Sequence, residues 1–136
     1  WLVAGGALKC WGFNGEGRLG DGRAPHDRST PVDVVGITGA TSVAPGITHT
    51  CARLSTGATK CWGRNLSGEL GNLLQSQSSV PVDVLRVSSA LAISTMGGAT
   101  CAIVPDRTVK CWGSSSNGGL GNGTGQWAVP GGVILE

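Results

Sequence analysis

Lys9-Cys10-Trp11-Gly12, Lys60-Cys61-Trp62-Gly63 and Lys110-Cys111-Trp112-Gly113 are three copies of one tetrapeptide, spaced 51 and then 50 residues apart. A period of that length belongs to architectures in which each unit buries its apolar face by stacking on a neighbour. A Leu-Gly pair follows each copy at a fixed distance (Leu19-Gly20, Leu70-Gly71, Leu120-Gly121), and Pro-Val-Asp-Val stands at 31–34 and 81–84. One register therefore runs along residues 1–136, in units of approximately 1–40, 41–90 and 91–136. A second cysteine precedes the tetrapeptide's own by ten residues in two units, Cys51 before Cys61 and Cys101 before Cys111. The same offset from Cys10 falls one residue before Trp1, so the reading expects Cys10 to be unpaired and the chain to be a piece cut within a repeat.

Composition agrees with an all-β chain: 24 glycines, no tyrosine, and no apolar pattern of helical period. The length gives fewer than three units, whereas closed propellers use about four to eight four-stranded blades. The expectation is a partial β-propeller, an arc of two to three blades completed by remaining blades of the same longer chain. A net charge of +2 with 13% charged residues gives no basic stripe for a nucleic-acid backbone. No apolar run reaches the length of a membrane span.

In the second unit, strands are expected at roughly 41–45, 49–54, 59–64 and 81–86, bounded by Gly, Pro, Asn or Ser. Ser55-Thr56-Gly57 is a three-residue hairpin loop. It sets Cys51 opposite Cys61, and the third unit sets Cys101 opposite Cys111. Opposed antiparallel residues lie about 4.5–5.5 Å apart at Cα, within reach of a disulfide. Each bridge would contribute on the order of 2–3 kcal/mol before strain. Reduced cysteines in small core sites are the competing reading. A zinc set is disfavoured, since there is no Cys-x-x-Cys and His26 and His49 do not recur with the cysteines. Disulfides imply an oxidising compartment, hence an extracellular or cell-surface setting. Trp11, Trp62 and Trp112, next to the cysteines, point to the other strand face and are expected to fill the gaps between blades. Gly20, Gly71 and Gly121 belong to the same structural repeat.

Cys51-Ala-x-x-x-x-Gly-x-x-Lys-Cys-Trp-Gly63 with Asn65, Gly68, Leu70 and Gly71, repeated over Cys101 to Gly113 with Pro105-Asp106-Arg107 as a loop without glycine and with Asn117, Gly118, Leu120 and Gly121, resembles the regulator of chromosome condensation repeat family. The resemblance implies a seven-bladed propeller. That family includes a nuclear guanine-nucleotide exchange factor for a small GTPase, domains of ubiquitin ligases, and secreted bacterial proteins, one of which caps β-lactamase active sites. The paired cysteines look like the secreted bacterial subgroup.

Other motifs are weaker. Gly15-Glu16-Gly17-Arg18-Leu19-Gly20 spells G-x-G-x-x-G, yet no helix follows to hold a phosphate. Asn14-Gly15 and Asp21-Gly22 read as turns and not as a calcium loop. Asp33 and Asp83 are expected to make a repeated strand-edge or turn hydrogen bond. His49 corresponds to Ala99 and reads as an ordinary polar or half-buried histidine. Asn65-Leu-Ser67 and Asn122-Gly-Thr124 fit the glycosylation sequon. No catalytic set, cofactor or metal is expected.

Function is expected where units differ, at residues 21–30, 72–80 and 122–129, which should share one rim. The candidate contacts are Arg23, His26, Asp27, Arg28, Gln75, Gln77, Gln126 and Trp127. The expected activity is non-enzymatic binding of a protein partner, inhibitor-like or adhesive, with guanine-nucleotide exchange on a small GTPase as the alternative.

Overall fold

A computed structural model describes residues 1–115, 118–121, 123 and 127–133, with only the backbone of 2–4 and 127–129. It contains three antiparallel sheets and no α-helix among the described residues. Blade 1 holds β1 (Leu2–Ala4), β2 (Ala7–Gly12) and β3 (Arg28–Asp33). Blade 2 holds β4 (Ala40–Pro45), β5 (His49–Leu54), β6 (Thr59–Gly63) and β7 (Ser78–Asp83). Blade 3 holds β8 (Ala92–Met96), β9 (Ala99–Ile103), β10 (Val109–Gly113) and β11 (Trp127–Gly132). Strands pair in sequence order, so each blade is a simple meander.

Each residue of the repeated tetrapeptide has its own task. Lys9 and Lys60 reach across to the next strand and pair with Asp33 (2.6 Å) and Asp83 (2.7 Å). The repeated aspartates thus make the expected strand-edge hydrogen bond, as a cross-strand ion pair on the surface, where such pairs contribute little. Cys61 bonds Cys51, and Cys111 bonds Cys101. The glycine adopts φ of +110°, +109° and +99° at positions 12, 63 and 113. A Cβ on Gly63 would strike Thr48 O at 2.6 Å and one on Gly113 would strike Gly98 O at 2.3 Å, so only glycine fits beside the turn in those two blades, while at Gly12 the positive φ alone favours it. The strand partner slips register at the same place in every blade. Pro31, Pro81 and Pro130 lie on the outer strands within these bulges, where a missing N–H breaks no ladder.

The tryptophan joins blade to blade. Trp62 Nε1 donates to Arg18 O in blade 1 (2.8 Å), and Trp112 Nε1 donates to Glu69 O in blade 2 (2.9 Å). Both indoles are fully buried. Room for each comes from the Leu-Gly glycine of the preceding blade. A Cβ on Gly20 would stand 2.7 Å from Trp62 Nε1, and one on Gly71 3.0 Å from Trp112 Nε1. Val34 and Val84 close the two notches. The core therefore lies between sheets, in one cluster at each seam.

Three expectations need correction. Trp11 is 44% exposed, since no described sheet lies against its face of blade 1. The outer strand starts at Ser78 and ends at Asp83, not over 81–86, since an edge strand can run through a proline. In blade 1 the hairpin loop is only Gly5-Gly6, with Ala4 paired to Ala7 and Leu2 to Lys9. Continuing that register sets Trp1 opposite Cys10, so the position facing this cysteine lies inside the chain. Cys10 is free and buried, and burial pushes its thiol up to about 11.

Removing a buried indole should show what the seams contribute. Trp62→Ala and Trp112→Ala are each expected to lower unfolding free energy by about 3–5 kcal/mol, and Trp11→Ala by less than about 1 kcal/mol. Urea denaturation of the three variants checks the ordering.

Candidate functional site

In a four-stranded meander, the turn between strands one and two and the loop between strands three and four fall at the same end. Here these are the turns 46–48 and 97–98 and the loops 13–27 and 64–77. Arg64 N bonds Thr48 O (2.9 Å), and Ser114 N bonds Gly98 O (3.0 Å), so turn and loop are tied within each blade. Ile47 N to Gly97 O (3.3 Å) and Gly22 N to Ser79 O (3.0 Å) tie adjacent blades. The loop ends form one continuous surface.

Each long loop is wound around a buried asparagine. Asn14 Oδ1 accepts from Leu19 N (3.0 Å), while its Nδ2 donates to Asp21 Oδ1 and His26 O. Asn65 repeats this with Leu70 N (2.9 Å), Asn72 Oδ1, Leu74 O and Ser76 O. Both side chains are fully enclosed. Asn65 therefore cannot carry a glycan in the folded chain, although it fits the sequon. Asn122 and Thr124 of the other sequon, and Asn117, lie outside the described residues.

The same winding consumes part of the expected binding set. Asp27 Oδ1 accepts from Asn14 N (2.8 Å), and Arg28 Nε pairs with Asp21 Oδ2 (2.9 Å) as the first residue of β3. Burial would raise the Asp21 pKa, but bonds from Arg23 N, Arg28 and Asn14 outweigh it and hold the carboxyl below its ordinary value. Arg23, His26, Gln75 and Gln77 have exposed side chains. Gln126 lies outside the described residues, and Trp127 opens β11 with its side chain undescribed. Arg28–Thr30 and Ser78–Val80 belong to strands, so the two variable loops end earlier than expected.

Sequence reasoning missed the apolar component of this surface. Phe13, Ile47, Leu66, Leu73, Leu74 and Met96 are all more than half exposed, Ile47 at 68% and Met96 at 72%. Arg18 lies over the Phe13 ring (4.8 Å), pairs with Glu16 and donates to Ile47 O, fixing the two apolar tips relative to each other. Beside Ile47 a cavity of about 280 Å³ opens between blades 2 and 3, lined by Thr48, Arg64, Glu69 and the Gly97-Gly98 turn. Glu69 is buried, accepts from Ser67 N (2.7 Å), and has Arg64 at 3.6 Å. The available signal was position: Met96 ends β8 just before Gly97, and the other five stand in turns and loops, outside any strand alternation.

Beneath this surface His49 is fully buried at the seam of blades 2 and 3, not half-buried as expected. Its Nε2 is 2.6 Å from Thr100 Oγ1, and its Nδ1 has no hydrogen-bond partner. Among the described residues no group of three or more metal-ligating side chains occurs, and no helix is long and apolar enough to cross a membrane.

Residues 6–53 match the family model of the Regulator of chromosome condensation (RCC1) repeat. The chain carries an RCC1 repeat. The matched span runs from the blade 1 hairpin to β5, slightly short of one period. Among solved structures the chain is similar to Prp20p from Saccharomyces cerevisiae, at 19% identity and a TM-score of 0.83, covering 95% of this chain and 34% of that one. That protein's structure was described together with its binding properties to Gsp1p and histones. Human WBSCR16 is similar at 22% identity and a TM-score of 0.84, covering 98% and 34%. A chain from the structure of Kap60 bound to yeast RCC1 (Prp20) is similar at 19% identity and a TM-score of 0.81, covering 95% and 33%. The chain spans about a third of the length of these structures. The likeness establishes the RCC1-type propeller fold.

The buried histidine makes stability depend on pH. Burial lowers the His49 pKa from 6.5 to about 4, so below pH 6.5 the unfolded chain takes up the proton first. Stability should fall by about 3 kcal/mol in total as pH drops from 6.5 through 4, with no contribution from this group above neutral. Denaturant titrations across that range should show a shallower loss in His49→Ala, the residue that blade 3 carries as Ala99.

Proposed function

We propose that this chain is a non-enzymatic propeller module that binds a protein partner through the loop end of its blades, and that it works at the cell surface or outside the cell. The observation that carries this reading is the row of exposed apolar side chains, Phe13, Ile47, Leu66, Leu73, Leu74 and Met96, at the end where the long loops differ between blades. Soluble chains seldom expose a contiguous patch of large apolar side chains unless something covers it. Arg23, His26, Gln75 and Gln77 supply a polar rim around that centre. Prp20p, with its binding to Gsp1p and histones, gives an example of this fold in protein recognition. Two cross-strand disulfides support the oxidising compartment. An inhibitor-like or adhesive role suits a rigid scaffold with variable tips.

Affinity capture from a secreted or cell-surface protein extract, followed by reconstitution with the purified partner, tests the reading. The combined variant Phe13→Ser, Ile47→Ser, Met96→Ser is expected to weaken that complex by about tenfold or more while the melting temperature stays unchanged. Undiminished affinity would overturn the assignment of this surface. The competing reading, exchange-factor activity on a small GTPase, rests on the family likeness and predicts accelerated nucleotide release in an exchange assay. Thiol titration of the unfolded, unreduced native chain should find one sulfhydryl, that of Cys10, and five would refute the extracellular setting.

A further inference from the structure

We propose that Leu73 and Leu74 are the paired anchor of the loop-end surface, held there at a cost in stability, and that both enter an uncharged apolar pocket on the protein partner. This rests on the reading of the loop end as a protein-binding surface and names the chemistry of its central contact.

Laying the three blades on one another exposes an outlier. Directly after each Leu-Gly pair the sequence runs Asp21-Gly22, Asn72-Leu73 and Asn122-Gly123. The second residue of each dipeptide has a left-handed φ, of +73°, +66° and +68°. Two blades meet that requirement with glycine, which has no Cβ to clash there, whereas blade 2 meets it with leucine, where a bulky side chain is strained. Arg86, Ser89 and Arg107, the other non-glycine residues with positive φ among the described residues, are polar. Leu73 joins the strain to an apolar side chain that is 57% exposed, so two unfavourable features fall on one residue. Leu74 is exposed to the same extent. The turn itself calls for neither leucine: in blade 1 Arg23 N donates to Asp21 Oδ1 (3.0 Å) just as Leu74 N donates to Asn72 Oδ1 (3.1 Å), with Gly22 and Arg23 in the two places. The Asn65 amide adds bonds to Leu74 O (2.7 Å) and Asn72 Oδ1 (3.0 Å), so the leucines stand on a fixed turn and lose little freedom when covered.

Charge identifies the kind of pocket. From Leu70 to Val82 the chain has no charged residue, whereas the equivalent stretch of blade 1 holds Asp21, Arg23, Asp27 and Arg28. Gln75 and Gln77 are exposed beside the leucines. Such a sector is matched by a pocket without charge, since a charged group facing it would lose its water and find no partner. A lipid surface matches it less well, because interfacial attachment draws on lysine or arginine around the apolar side chains and this sector has neither.

Four single variants test this by melting temperature and by binding, the probes being the partner purified in the capture experiment above and vesicles of neutral and of anionic phospholipid. Leu73→Gly should melt about 2–5 °C above Leu73→Ala and no lower than the parent, while Leu74→Gly should melt below Leu74→Ala. All four should bind the partner about tenfold or more weakly, and the parent should bind neither vesicle. If Leu73→Gly melts no higher than Leu73→Ala there is no strain to relieve, and if it melts below the parent another segment of the protein covers the leucine; either result overturns the proposal without any partner in hand. Vesicle binding that the substitutions abolish would overturn it in favour of a lipid surface. Undiminished partner affinity in all four, with the combined Phe13, Ile47 and Met96 variant still weakened, would remove the anchor and leave the loop-end surface standing. Undiminished affinity in every variant would remove both.

Discussion

One hydrogen-bonded contact, an indole N–H reaching the backbone carbonyl of the preceding blade across a glycine, holds these sheets together. It combines the largest apolar side chain available with a donor that must be satisfied once buried. Both demands are met only when the facing glycine leaves room and the facing carbonyl points outward. The tetrapeptide and the Leu-Gly pair, with six residues between them in sequence, are therefore two sides of one joint. Each blade carries its own indole and the seat for the next.

Within a blade the disulfide serves a different purpose. Cys51–Cys61 and Cys101–Cys111 lock hairpins that are already the most local part of the sheet. They lie on the face turned toward the following blade, with the tryptophan on the other. The alternation of strand side chains thus separates a covalent constraint from a packing one, and the bulge glycine after them lets the chain leave the strand beneath the neighbouring turn.

Much of this was legible because a repeat reveals roles by recurrence. Cysteine pairing followed from loop length, and the inter-blade role of Trp62 and Trp112 followed from side-chain alternation. Trp11 stands in the same register and is exposed, since burial of this indole depends on a sheet packed against it and none is described there. The shortened Gly5-Gly6 hairpin changed what stands opposite Cys10, a one-residue difference that spacing between tetrapeptides could not reveal. The loop hubs were hidden for another reason. Asn14 and Asn65 look like turn residues, and only the convergence of several backbone groups on one amide shows that they organise the loops. The exposed apolar tips were missed because single apolar residues among glycines have no periodicity to announce their side.

The prolines on the outer strands have a consequence for how such a chain can change. Pro31, Pro81 and Pro130 leave the periphery a poor template for another strand, so sheets cannot widen sideways. Enlargement is channelled along the stacking axis, by duplication of whole modules that each bring a peg and a socket. A gene of this kind can lengthen or shorten by one complete module at a time, because each module carries both halves of the joint.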